Sequence, residues 1–342
     1  MRGEQIVRVN PAAAIPGGEV AIECANYDTS NLRACGATFN GERARLVGVS
    51  PRRVLALVPE TDDGGETEIV LESADARHSA TARAVVGRKL AEDLHIVANP
   101  AFDPDDGSLY VTRSGSRGQR LPVSLFRIDS GGELTSLHGE IANPTAIAFN
   151  SLGEMYVTSR LDGTVYRVSP FHEIEPFARN LGVATGLAFD PVGRMYVGDR
   201  SGTIHRVNGV GESDVWALLE PSVAAYHLAF GPDGALYVTG PTVSSFDSVM
   251  RVDEDGRASV FFRGLGRPQG LAFDRAGNLY VAASLRGRRG VVRISPDGSD
   301  AELAVAGMNV VGLAFSAAGD MVVATNEAVY SLPLGIKGTL LR

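Results

Sequence analysis

The residues of this chain that could do chemistry are dispersed. Six histidines occur, His78, His95, His138, His172, His205 and His227. A catalytic zinc site needs three converging His, Cys or carboxylate ligands, and no His-Glu-x-x-His spacing brings such groups together. Neither Gly-x-Ser-x-Gly nor a P-loop is present, so nucleophile-elbow and phosphate-cradling chemistry have no motif here. Asp103-Pro104-Asp105-Asp106-Gly107 and Asp253-Glu254-Asp255-Gly256 have calcium-loop composition without the full loop length or its terminal glutamate. They read as hairpin turns, which Asp, Pro and Gly favour through their own backbone preferences. The two cysteines, Cys24 and Cys35, cannot make a metal site alone. Cys24 is in phase with Val20 and Ile22, and Cys35 with Ala37 and Phe39, so both point inward. Two readings stay open for them: small buried hydrophobes, or one disulfide between facing strands.

The elements that must position any site follow from a repeat. Ala-Phe recurs with Phe102, Phe149, Phe189, Phe230, Phe273 and Phe315, spaced by 47, 40, 41, 43 and 42 residues. A fixed period of this size marks a repeat architecture. A second strand follows in each copy, as in Leu109-Tyr110-Val111, Met155-Tyr156-Val157 and Leu279-Tyr280-Val281. A third ends in Arg127, Arg167, Arg206, Arg251 or Arg293, with Ser331 in the last copy. A weaker outer strand comes last. Four short strands repeated six times predict a six-bladed β-propeller over residues 88–342. The recurrent arginines read as structural, because a ligand site needs asymmetry. Residues 6–87 lack the repeat and read as short alternating strands, such as Glu19 to Ala25 and Ala80 to Val86, punctuated by Gly17-Gly18 and Asn40-Gly41. That pattern predicts a β-sandwich, making the whole chain all-β.

Bulk properties exclude some partners. A net charge of −8 with no long basic run argues against nucleic acid. No stretch approaches the roughly 20 apolar residues of a membrane span. Met1 to Pro16 has no apolar run of signal-peptide length, so the expectation is cytoplasmic as written, with export the alternative if the N-terminus was trimmed.

Asn10-Pro11, Ile15-Pro16-Gly17-Gly18-Glu19-Val20, Phe39-Asn40-Gly41 and Val54 to Pro59, in that order, resemble an IPT/TIG domain, an immunoglobulin-like sandwich. Cys24 departs from the glycine usual there. Gly-Leu-Ala-Phe-Asp followed by Gly-Asn-Leu-Tyr-Val-Ala, at 270–282, resembles NHL-repeat propellers and, more loosely, the senescence-marker/gluconolactonase propellers. The resemblance covers about residues 90–342. It implies, for lactonase-like members, a divalent metal at the channel mouth held by a glutamate, asparagines and an aspartate. Here the position four before each phenylalanine holds Ala98, Thr145, Thr185, Tyr226, Gln269 and Val311, with no carboxylate. Asn99 lies one position further along. Asp199 matches the place of the family's aspartate and is the one plausible metal ligand. A hard cation wants several oxygen ligands, so the expectation is no cofactor, with Ca or Zn as the alternative.

Insertions at Arg113 to Pro122, Pro241 to Ser248 and Leu285 to Gly290 all lengthen the connection from second to third strand, which places them on one face. Insertions clustered on one face mark binding faces in repeat proteins. Arg113, Arg117, Arg120, Arg160, Arg200, Arg286, Arg288 and Arg289 would crowd this rim, with Asp162 and Asp199. Tyr226, His227 and Gln269 would stand at the channel mouth. The leading reading is a non-enzymatic recognition scaffold for a protein or a polar or anionic small molecule. The alternative is a gluconolactonase-type hydrolase with an atypical site. The last blade needs a fourth strand, expected from Gly338 to Arg342 rather than from Lys89 to Leu94.

Overall fold

The computed structural model describes residues 5–61, 63–73, 80–115, 119, 121, 123–137, 139, 141–244 and 246–339. Its regular elements are all β-strands. Units one to five are four-stranded antiparallel sheets in which each strand pairs with the next in sequence. Their inner strands are Ala101–Phe102, Pro144–Phe149, Ala184–Phe189, His227–Phe230 and Leu271–Phe273, and the sixth unit begins at Val310–Phe315. Each inner strand packs against the next, and the sixth against the first. The units therefore close into a ring, a β-propeller.

The repeated aromatics are the glue between units. Tyr110 meets Phe149 at 5.7 Å between centroids, Tyr156 meets Phe189 at 5.4 Å, and Tyr196 meets Phe230 at 5.1 Å. Tyr237–Phe273 and Tyr280–Phe315 follow at 4.8 and 5.2 Å. In every case the tyrosine of one unit touches the phenylalanine of the next. Such edge-on pairs contribute about 0.5–1.5 kcal/mol each beyond area burial. The sixth unit has Val322 at the tyrosine position, so no such pair faces Phe102. The recurrent arginines pair within or beside their own strands: Arg127 with Asp106, Arg167 with Glu175, Arg206 with Asp214, Arg251 with Asp233 and Arg293 with Glu302. They are structural, as their periodicity implies.

The ring is not closed by the C-terminal tail. The fourth strand of the sixth unit is Arg88–Ala91, antiparallel to Val329–Leu332 with Lys89 opposite Tyr330. The reason lies just downstream. Leu94 to Ala98 is not a regular strand; the Leu94 and Ile96 amides donate to Glu327 and Asn326 carbonyls, which keeps this segment on the sixth unit. The tail instead crosses the turns between first and second strands. Arg275 N donates to Lys337 O at 2.8 Å and Thr339 N to Phe273 O at 3.0 Å. Gly338 lies against the Phe315 ring so closely that a Cβ there would stand 2.6 Å from the Phe315 Cβ.

Two sheets precede the ring. One has the strand order Gln5–Asn10, Glu19–Ala25, Arg53–Leu57, Arg45–Ser50. The other runs from Ala13–Ala14 through Ala80–Val86, Gly65–Glu72 and Gly36–Phe39 to Glu42–Arg43. Alternation puts Val20, Ile22, Val54 and Ala56 of the first and Ala37, Phe39, Ile69 and Leu71 of the second in one core. Cys24 and Cys35 lie in that core as thiols, not as a disulfide. Their sulfurs approach different carbonyls, Pro51 O at 3.9 Å and Asp28 O at 3.6 Å.

The two parts are joined edge to edge. Ala13–Ala14 pairs in parallel with Ala301–Ala306, the outer strand of unit five, and Ile15 N donates to Ala306 O at 2.9 Å. Gly18 sits so close to Ala306 O that a Cβ there would collide with backbone.

Candidate functional site

One face of the ring carries the connections from second to third strands and the entries to the inner strands. Arg160, Asp162, Asp199, Arg200, Tyr226, His227, Gln269 and Arg286 all lie on that side or at the channel it surrounds, as their places after or before these strands require. The structure divides them into groups with different roles.

Asp199 is committed to its own loop. It is 6% exposed, and its Oδ1 accepts from Val183 N at 2.9 Å and from Ser201 N at 3.0 Å. Its Oδ2 accepts from the Ser201 hydroxyl. Asp162 is used in the same way one unit earlier: Oδ1 accepts from Thr164 N at 3.1 Å, and Oδ2 from the Tyr166 hydroxyl at 2.8 Å. Asn99 is likewise taken. Its amide donates to Leu271 O at 2.9 Å and its carbonyl accepts from Leu313 N at 3.0 Å, bridging units five and six. Among the described residues no group of three His, Cys, Asp or Glu side chains converges on one point.

Tyr226 is a pillar of the core. It is buried, its hydroxyl donates to Glu220 O, and its backbone N donates to Thr185 Oγ1 at 3.0 Å. Burial pushes its phenol up to about 12. Gln269 is half-buried; its backbone N donates to Ala282 O at 2.8 Å and its backbone carbonyl accepts from the Thr239 hydroxyl.

Arg286 is exposed and occupies a left-handed turn position (φ 51°) at the tip of the unit-five hairpin. Its neighbour Arg288 does not line a ligand rim either. Arg288 Nη2 donates to Asn10 O at 2.7 Å and Glu19 O at 3.3 Å, so the lengthened hairpin is a latch onto the N-terminal sheets. Arg117, Arg120, His78 and His138 lie outside the described residues.

Arg160 and Arg200 are the pair the fold brings together. They occupy equivalent positions in neighbouring units, each four residues after the inter-unit tyrosine (Tyr156 and Tyr196). Arg160 is half-buried, and its Nη2 donates to Gly115 O at 3.4 Å. Burial, and then the nearby positive charge of Arg200, lower its pKa. Among the described residues neither guanidinium has a carboxylate partner, in contrast to the paired arginines of the third strands.

The inner strands line a central, partly open cavity of about 200 Å³. Asn99 and His227 stand among its lining with Thr339 of the tail; the other side chains there are apolar. His227 is 4% exposed, and its Nε2 has no hydrogen-bond partner among the described residues. Burial drives its imidazole pKa down to about 4. Its neighbours in the repeat register are Gly186 and Gly270, so nothing in the periodicity announced a histidine there.

No family model matches the sequence, and no curated relative matches it. Solved structures do match by fold. An auxiliary nutrient binding protein from Bacteroides thetaiotaomicron is 14% identical over 96% of this chain and 97% of its own, with a TM-score of 0.56. A putative gluconolactonase is 17% identical, covers 74% of this chain and 93% of its own, and has a TM-score of 0.61. A calcium-binding regucalcin from Agrobacterium tumefaciens is 19% identical over 74% of this chain and 95% of its own, with a TM-score of 0.59. The first spans both parts of the chain; the other two cover a share comparable to the ring alone. At these identities the similarity is one of fold, an all-β repeat architecture held in common with β-propeller proteins.

Proposed function

We propose that the protein is a non-enzymatic binding module that takes an anionic ligand on the propeller face, with Arg160 and Arg200 as the anchoring cations. The observation that carries this reading is Arg160: a half-buried guanidinium beside a second cation, with no acidic partner among the described residues. Taking a charge out of water without a counter-charge is costly, and a like charge nearby adds to the cost. A carboxylate or phosphate lying between the two guanidiniums would relieve both, and the planar fork of arginine suits such oxyanions. In this reading residues 6–87 form an immunoglobulin-like sandwich of the IPT/TIG kind and residues 88–342 an NHL-like six-bladed propeller, each serving as a scaffold. The fold likeness to nutrient-binding proteins supports ligand binding in general terms.

The alternative, a gluconolactonase-type hydrolase using Ca or Zn, draws support from the likeness to the gluconolactonase and regucalcin folds. Against it, Asp199 and Asn99 spend their oxygens on backbone and hydroxyl donors within the fold. Calorimetric titration with citrate, phosphate and glucuronate tests the binding reading. Saturable, salt-sensitive binding of at least one anion is expected, weakened tenfold or more in Arg160→Gln and Arg200→Gln. Binding that ignores both substitutions overturns it. Calcium- or zinc-dependent lactone turnover abolished by Asp199→Ala would establish the alternative.

A further inference from the structure

The side of the ring away from Arg160 and Arg200 carries its own departures from the repeat. The turns from first to second strands and from third to fourth strands lie together there. Three residues after the recurrent phenylalanine, the six units carry Asp105, Leu152, Val192, Asp233, Ala276 and Ala318. Four residues after the recurrent arginine, the first five carry Gly131, Phe171, Val210, Asp255 and Asp297. Units two and three alone place large apolar side chains at both positions. Leu152, Phe171, Val192 and Val210 are 79, 88, 76 and 76% exposed. The turns do not need these side chains to form. Gly153 N donates to Asn150 O at 3.1 Å and His172 N to Ser169 O at 2.8 Å. The Asn150, Asp190 and Asn208 side chains accept from the amides of Leu152, Val192 and Val210, the local bonding that favours such residues in turns.

The four tips are neighbours. Within a unit the two turns are two strand spacings apart, about 10 Å. Between units the first turns abut: a Cβ on Gly193 would stand 3.9 Å from Ser151 Oγ. Single exposed apolar residues are ordinary, whereas a contiguous patch rimmed by polar groups marks an interaction surface. The rim here is acidic. A Cβ on Gly153 would stand 2.7 Å from Asp105 Oδ2, so Asp105 borders the unit-two turn. Glu173 and Glu212 follow Phe171 and Val210 by two residues, and the Glu254 carbonyl accepts from Trp216 Nε1 of unit three at 3.4 Å. None of these four carboxylates has an ion-pair partner among the described residues. The nearby Arg167, Arg194 and Arg206 are already paired, with Glu175, Asp190 and Asp214. That charge selects the occupant. Two copies of this chain joined patch to patch would set acid against acid, and an anionic lipid surface would be repelled. We propose that the turns of units two and three form a docking surface for a cationic polypeptide segment bearing apolar side chains. Its apolar groups cover the four tips, and its lysines or arginines meet the rim.

The probe is a short synthetic peptide of leucine and lysine, titrated calorimetrically into the full chain. A serine–lysine peptide of the same charge and a leucine–glutamate peptide are the controls. The leucine–lysine peptide should bind saturably, the serine–lysine peptide at least tenfold more weakly, and the leucine–glutamate peptide not at all. Leu152→Ser and Phe171→Ser should each weaken binding about tenfold, the loss expected on removing one apolar side chain that becomes buried. Both sites are exposed turn tips, so neither substitution threatens the fold. Leu32→Ser, at a 63% exposed position of the N-terminal part, should change nothing. Salt near 1 M, where the Debye length is about 3 Å, should also weaken the interaction. Peptide binding that ignores both turn substitutions overturns the proposal, as does equal binding of the leucine–glutamate peptide. Sedimentation showing a dimer that Leu152→Ser dissociates would assign the patch to a second copy instead. Phosphatidylglycerol vesicles bound by wild type and released by Phe171→Ser would assign it to a membrane.

Discussion

Lowering the pH should destabilise this fold through one residue, and the size of the effect can be worked out. His227 is fully buried, and burial alone holds its pKa at about 4 against an ordinary 6.5. The folded state therefore binds a proton less readily than the unfolded chain. Where the unfolded state holds more protons, stability rises with pH. The contribution is whole above pH 6.5, falls as the pH drops toward 4, and is fully lost below that. At 1.36 kcal/mol per unit, the interval corresponds to about 3 kcal/mol. Carboxylates titrate in part of the same window, so the informative quantity is a difference between proteins. Urea unfolding of wild type and His227→Leu should be followed at several pH values from 7 to 4. Wild type should lose about 3 kcal/mol more than the variant over that range. Parallel curves would refute the claim that His227 is neutral, buried and unable to gain a proton in place. A variant steeper than wild type would refute the direction.

Two further outcomes bear on how the chain is assembled. Arg288→Ala removes a charged donor from Asn10 and Glu19 carbonyls; a loss of about 2 kcal/mol is expected from hydrogen bonds to a charged group. Limited proteolysis should then cut the N-terminal sheets sooner, and unchanged cleavage would remove Arg288 from the latch. Truncation after Leu334 deletes the tail contacts to Arg275, Phe273 and Gly319, whereas Lys89→Pro disrupts the strand that closes the ring opposite Tyr330. Truncation should speed hydrogen exchange in Leu271–Phe273 and Val310–Phe315 while leaving the ring folded. Lys89→Pro should cost more stability than truncation, and the reverse order would return ring closure to the tail.

The period of the Ala-Phe phrase made the ring legible because the same residues do the same job in each unit. Phe149, Phe189, Phe230, Phe273 and Phe315 each meet the tyrosine of the preceding unit. The paired arginines were legible for the same reason. Closure was not. Lys89-Leu90-Ala91 and Gly338-Thr339-Leu340 are both short and mixed in polarity, and local propensity does not separate them. What decides is a pair of long-range hydrogen bonds from Leu94 and Ile96 to the last unit, which no local pattern records. The unit-five insertion misled in another way. Its arginines look like those of a rim, yet a hairpin lengthened by strand pairing from Leu285 to Arg288 points one of them at the N-terminal sheets.

In a ring of near-identical units, specific chemistry has to come from departures from the repeat, and the departures here separate by kind. Arginine stands four residues after the inter-unit tyrosine in units two and three, where the others carry Ser114, Pro241, Ser284 and, after Val322, Asn326. Two adjacent units sharing a cation make a localised positive site, which a cation in all six would not. His227 stands where the other inner strands carry Asn99, Ala146, Gly186, Gly270 and Gly312. Of these, Asn99 is the one other polar side chain, and it staples units five and six together. The same register position thus carries a satisfied polar group on one side of the channel and an unsatisfied one on the other. The asymmetry of Arg160 and Arg200 is the reason to look for an anion on this face of the ring.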